Sequence, residues 1–275
     1  GFMLMSVVFF LIVKTIIHYV ILERILGWPA DGTLPDKPTV TWDAAACFTG
    51  CVHSINLVFA IGTLFWCSDC FHRPSCAIRD HPQWWQDMNA AVMQFCTGYM
   101  VYDTLCNVLA VRWQGGLDFA FTADDYMFFG HHLATIFYMT GTRALHAGHM
   151  SALVLMFAGE LTNPFLNTYL VSGYVKDLDC CAFRDSTVAA IEIPLAVLFL
   201  SLRVFIGPFL CLYISYDLLF TKQGLSLIPL THSIPWNLMM WGVVFGAVPW
   251  IFHLWEVLQK YLPNNDGEMA VVPEL

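Results

Sequence analysis

Long apolar runs separated by short polar ones set the character of this chain. Seven of them approach or exceed the roughly 20 mostly apolar residues that a helix needs to cross a bilayer: Phe2–Leu22, Trp42–Trp66, Asn89–Val111, Asp124–Thr142, His149–Val171, Val188–Phe220 and Pro235–Leu258. No period-2 alternation suggests a barrel, and backbone groups in lipid need partners within their own segment, so each run is predicted to be helical. The sixth run, at 33 residues, would be about 50 Å long at the α-helical rise. It must tilt, bend near Pro194 or Pro208, or protrude.

The separators read as loops. Gly27–Thr41 carries Pro29, Pro35 and Pro38, Cys67–Met88 is polar and holds cysteine and histidine, and Ser172–Thr187 is polar. The expected organisation is a first transmembrane helix with a Pro-rich loop (1–41), a membrane domain (42–262) and an acidic tail (263–275). Loops after the first, third and fifth runs, with the tail, hold Arg24, Lys37, Arg112, Lys176, Arg184 and Lys260, against Arg73, Arg79, Arg143 and Lys222 opposite. The positive-inside rule then favours a cytosolic C-terminus by a narrow margin.

Ionisable residues inside the apolar runs need a reason, because a charge at mid-membrane costs roughly 2.5–3.5 kcal/mol on insertion scales. The fourth run opens on Thr122, Asp124 and Asp125, a capping-box pattern, and continues to His131 and His132. Neighbouring residues lie about 100° apart on a helix, so both imidazoles can border one cavity without overlying each other. Asp124 shares a face with His131, and Asp125 with His132. The fifth run offers Glu160, Asn163 and Asn167 as a stripe; the third offers Asp103 and Asn107, the second His53 and Asn56, and the sixth Arg203. One reading is a set of interhelical hydrogen bonds, with Arg203 paired to Glu192, Glu160 or Asp103. The other is a working site in which His131, His132 and Glu160 are catalytic. Asp103, Asn107, Asn163, Asn167 and Arg203 then hold the substrate. A neutral imidazole can take a proton from an amine or hydroxyl as it attacks an acyl carbonyl, with an acid to orient it. Adjacent histidines are poorly spaced for a single ion, so no metal is expected at this site.

Composition agrees with a membrane protein: 58% of residues are hydrophobic and 12% charged, about half the charged fraction of soluble domains, and mean hydropathy is +0.62. A net charge of −9 with 12 scattered Lys and Arg excludes a nucleic-acid surface.

The order of motifs between about Trp42 and Tyr261 resembles the TLC-domain family, named for TRAM, Lag1 and CLN8 proteins. CVHSINLVFAIGTLF, FCTGYMVYDTL, MFFGHHLATIFYM, GELTNPFLNTYL and LRVFIGPFL carry the resemblance, in this order on successive segments. It is nearest the CLN8 and TLC-domain-containing branch, through Glu160–Phe165. The resemblance implies an all-α, barrel-like bundle of about seven transmembrane helices around a lipid-accessible cavity, in endoplasmic-reticulum membranes. In the ceramide-synthase branch, which makes sphingolipids, the histidines matching His131 and His132 join an acyl chain from acyl-CoA to a sphingoid amine. This chain departs from that branch in carrying Gly159-Glu160 and Asn163-Pro164 where a further aspartate is expected. Two classes therefore stay open: an acyl-CoA-dependent N-acyltransferase, and a non-catalytic lipid sensor, cargo receptor or accessory subunit. Membrane lipids are the expected partners in both, with membrane proteins added in the second. Acyl-CoA is a co-substrate in the first, and no bound cofactor is expected.

Ten cysteines are many for such a chain. Cys67, Cys70, His72, Cys76 and His81 crowd one loop, in a spacing that matches no named zinc module. A disulfide in an oxidising lumen, a metal ion and reduced thiols all fit this pattern. Cys180 and Cys181 are too close in sequence to bridge easily to each other.

Overall fold

The computed structural model describes residues 1–34, 38–68, 72–115, 121–175 and 186–262. The acidic tail, Cys70, Cys180, Cys181, Lys37, Lys176 and Arg184 lie outside the described residues. Among those described, the regular structure is helical apart from one isolated antiparallel bridge, Ala77 to Ala147. The expected all-α membrane architecture is therefore present.

Among the described residues, four rods are both long and apolar enough to cross a membrane: Phe2–Ile25, Val40–Trp66, Ala190–Phe220 and Leu230–Gln259. The first consists of α1 (Phe2–Thr15) and a wide-turn stretch, Ile16–Ile25. The second is α2 (Val40–Trp66). The remaining expected segments are also helical, as α3 (Gln83–Gly115), α4 (Ala123–Leu145) and the pair α5 (His149–Glu160) and α6 (Asn163–Val175). Polar residues lower the hydropathy of α3 and α4, and the break leaves α5 and α6 each too short, so length and hydropathy support four spans among the described residues where the sequence suggests seven. Large apolar side chains such as Phe59, Phe205, Phe209, Leu238 and Phe252 point outward. A water-soluble protein would bury that surface, whereas lipid accepts it.

Local sequence explains where the helices start and break. At the start of α4, Thr122 Oγ1 accepts the Asp125 N–H (3.2 Å), and the Thr122 N–H donates to Asp125 Oδ2 (2.8 Å). This is the capping box the sequence predicts. Pro164 lacks the N–H that would bond back to the Glu160 carbonyl, so the fifth run does not continue as one helix. It divides at Leu161 and Thr162, leaving Glu160 as the last residue of α5. The sixth run passes through Pro194 unbroken as α7 (Ser186–Leu200). It then loosens into an i→i+5 turn, Ser201–Ile206, and resumes as α8 (Gly207–Phe220). The irregularity sits just ahead of Pro208, whose ring removes another α-type bond. A short α9 (Lys222–Leu227) leads to α10 (Leu230–Gly246) and, beyond a break near Pro249, to α11 (Val248–Gln259).

The bundle is organised around α2, which packs on α1, α3, α5 and α6. α3 joins α1 to α4, α10 lies between α4 and α8, and α7 bridges α6 and α11. Trp85, Trp236, Tyr102 and Phe10 are fully buried where these helices meet. At Gly98 a side chain would strike the Met3 carbonyl oxygen at 2.8 Å. The glycine is what lets α1 lie close on α3.

Candidate functional site

A half-open cavity of about 170 Å³ lies between α3, α4, α5, the 201–206 turn, α8 and α10. Its wall is mostly apolar, with Met100, Leu155, Met156, Leu202, Leu210 and Met239 among the lining side chains. His131, Glu160, Asn163 and Arg203 add polar groups from α4, α5, the start of α6 and the wide turn. A largely apolar hollow with a few convergent polar groups is the usual form of a small-molecule site.

Glu160 is buried, and its bonds are made to protein. Its Oε2 accepts from Ser54 Oγ at 2.7 Å and from Asn163 Nδ2 at 2.8 Å. His53 Nδ1 stands 3.5 Å from the same oxygen, within ion-pairing reach. The His53 ring is fully buried and lies nearly parallel to Tyr99, with centroids 3.8 Å apart. The helix break at Pro164 brings Asn163 back onto Glu160 and so helps to assemble this cluster across α2, α5 and α6. Asn167, one turn further along α6, fills the space over Gly50, where a side chain would meet its Nδ2 at 2.7 Å.

The adjacent histidines part company. His131 lines the cavity and is exposed at its mouth. His132 is buried and is not among the lining residues. Its Nδ1 lies 2.9 Å from Thr104 Oγ1 and its Nε2 3.8 Å from Asp103 Oδ2. The expectation that both imidazoles share one enclosed cavity with Glu160 is thus corrected: a 100° step on α4 carries His132 round to α3. Asp103 sits behind the cavity wall with it, and the Asn107 amide donates to the Asp103 carbonyl at 2.9 Å. Asn56 is exposed and bonds its own helix. Asp125 is taken up in the cap of α4, and the side chain of Asp124 lies outside the description.

Arg203 enters the cavity, as expected, but makes no ion pair. Among the described residues no carboxylate lies within 4.0 Å of it, and its buried Nε has no hydrogen-bond partner. Its guanidinium carbon stands 5.5 Å from the Phe199 ring centre. Glu192, one of the expected partners, instead accepts from the Tyr261 hydroxyl at 2.5 Å.

Ser54 and Cys96 escaped the sequence reading, since neither is charged and both act across helices. Lys14 and His18 escaped it too, although two ionisable residues four apart in the first apolar run were a visible signal. Lys14 Nζ lies 2.9 Å from the Trp42 ring centre, and His18 Nε2 lies 3.2 Å from both Glu23 and Asp31. Two buried groups among the described residues could supply metal-ligand atoms: His53, Cys96 and Glu160, and Cys76, His81 and His149. In the first, the carboxylate is already engaged by Ser54 and Asn163. Cys67, from the same crowded loop as Cys76, is exposed and in no disulfide.

A family model described as the TLC domain matches residues 43–256. No curated protein and no solved structure matches the chain.

Proposed function

Because this chain belongs to the TLC-domain family, whose members are membrane proteins linked to lipid metabolism, we propose that its cavity holds the acyl chain of a membrane lipid. All seven helical rods cross the bilayer in this reading, and the membrane is that of the endoplasmic reticulum. The observation that carries it is Arg203, which lines a mostly apolar cavity with no carboxylate within 4.0 Å of it among the described residues. A cation without an acid partner in such surroundings is costly unless a ligand offers it an acceptor. His131 on the facing helix supplies a second polar contact, so the head of an acylated amphiphile fits here and its tail fits the methionine- and leucine-lined wall. The Glu160–Phe165 motif supports placement in the CLN8 and TLC-domain-containing branch.

Acyl transfer is the catalytic form of the same reading, favoured by an imidazole at the cavity mouth. His131 would take the proton from an amine, such as that of a sphingoid base, as nitrogen attacks the thioester carbonyl of acyl-CoA. The C–S bond then breaks, and the departing thiolate receives a proton to give free coenzyme A and an amide. The test is lipid extraction from the protein purified in detergent, followed by incubation with labelled acyl-CoA and amine or hydroxyl acceptors. Bound acyl lipid in the wild type, reduced about tenfold in His131→Ala, is expected from the loss of one good hydrogen bond. Turnover lost in the same variant makes the protein an acyltransferase. Binding without turnover leaves a lipid sensor, cargo receptor or accessory subunit, and absence of any bound lipid rejects the reading.

A further inference from the structure

At the opposite end of α5 from Glu160, about 17 Å away along the helix, three buried side chains of metal-ligand type face one another. Cys76 Sγ lies 3.6 Å from His149 Nε2 and 3.8 Å from His81 Nε2. All three donor atoms fall within 4.8 Å of one another. We propose that Cys76, His81 and His149 bind a zinc ion that fastens the α2–α3 loop to the start of α5. This site is separate from the lipid cavity and does not depend on its role.

The distances suit the ion. Zn–S of about 2.3 Å and Zn–N of about 2.0–2.1 Å, at a tetrahedral angle, separate sulfur from nitrogen by about 3.6 Å. One pair already stands at that spacing, and the other needs to close by roughly 0.2 Å. A thiolate with two imidazoles is a borderline-soft donor set, suited to zinc and unsuited to magnesium or calcium. Three protein ligands leave the fourth tetrahedral position for a further ligand.

The scaffold holds these donors in place without help from the ion. The Ala77–Ala147 bridge ties the two segments, with the Ile78 N–H donating to the His146 carbonyl (2.9 Å) and the Gly148 N–H to the Cys76 carbonyl (3.4 Å). The Ser75 N–H donates to Asp217 Oδ2 at 2.6 Å, which anchors the loop to α8. His81 lies nearly parallel to Trp85 at 3.8 Å, and Trp85 Nε1 donates to the Leu64 carbonyl at 3.0 Å. Gly148, just before His149, adopts φ +76°, and a side chain there would also press on Ile228 and Trp236 at 2.9 and 3.0 Å. His149 Nδ1 is buried without a hydrogen-bond partner among the described residues. Nothing on that side selects the tautomer, so a cation at Nε2 would set it, with the proton on Nδ1.

The test uses the full chain in detergent, with any affinity tag removed, and elemental analysis for zinc. About one zinc per chain is expected, falling below roughly one-tenth of that in Cys76→Ser and in His149→Ala. Should either variant fail to fold, wild type stripped with a chelator is titrated with Co²⁺. A thiolate-to-cobalt charge-transfer band that saturates at about one equivalent and is displaced by Zn²⁺ supports the site. Wild type that carries no zinc and gives no such band overturns it, as does zinc retained in full by Cys76→Ser. Metal lost in Cys96→Ser but kept in Cys76→Ser would place the ion at His53, Cys96 and Glu160 instead.

Discussion

Glu160 and Arg203 line the same cavity, yet they stand in contrasting states. One oxygen of the carboxylate accepts from Ser54 and Asn163, with His53 within ion-pairing reach, and so ties α5 to α2 and α6. The guanidinium, carried on a wide turn, has a buried nitrogen with no partner among the described residues. A buried acid bonded to side chains of neighbouring helices belongs to the architecture, because removing it orphans those neighbours. A cation that lines a cavity without an acid partner is open to an acceptor on a ligand.

Five substitutions can break or sharpen this contrast. The largest effect is expected from Glu160→Ala, which strands His53, Ser54 and Asn163 in the interior. A loss of about 3–5 kcal/mol, seen as a large drop in thermal stability in detergent, follows from breaking a buried charged cluster. If Glu160→Ala stays stable and loses only bound lipid, the carboxylate belongs to the ligand site. His132→Ala should cost about 1–3 kcal/mol, as it leaves Asp103 and Thr104 without their shared partner. His131→Ala, read on the same thermal scale, should change stability less than His132→Ala does. Ser54→Ala removes one neutral donor from Glu160 and should cost about 0.5–1.5 kcal/mol by thermal unfolding. Arg203→Ala should have the smallest effect on stability, within about 1 kcal/mol, since it orphans no acid. Its effect should appear in lipid retention, weakened about 10- to 100-fold by the loss of a charged hydrogen bond. A collapse in stability there would mean that Arg203 supports the bundle after all.

The helical frame was legible because hydrophobic run length and capping chemistry are local. Thr122 and Asp125 announce the start of α4, and Pro208 marks the wide turn in the sixth segment within a few residues. The division of the fifth run was equally local, in Asn163-Pro164, but its apolar length concealed it. Partnerships across helices were harder to read. Glu160 stood out as an acid in an apolar run, while the serine that bonds it lies 106 residues earlier and differs in no way from a helix-solvating hydroxyl. The two histidines could not be separated from spacing alone, because a 100° step permits both one shared cavity and two different walls. His149 was likewise invisible as a neighbour of Cys76, since it lies 73 positions further along the chain.

The turn at Ser201–Ile206 also shifts the phase of everything after it. Buried positions in the first half of the rod run Leu195, Ala196, Phe199 and Leu202, a helical cadence. Continued at 3.6 residues per turn, that cadence would put Ile206 and Tyr213 inside. Both are exposed, and the buried positions in the second half are Cys211, Ile214 and Leu218, one residue late. An i→i+5 turn consumes one residue more than an α turn, which is the observed offset. The rod therefore presents its first half to one apolar cluster, with Leu254 on α11, and its second half to the main core beside Trp236. A single inserted residue turns a continuous helix into two differently aimed surfaces, and Arg203 sits at the point where the aim changes.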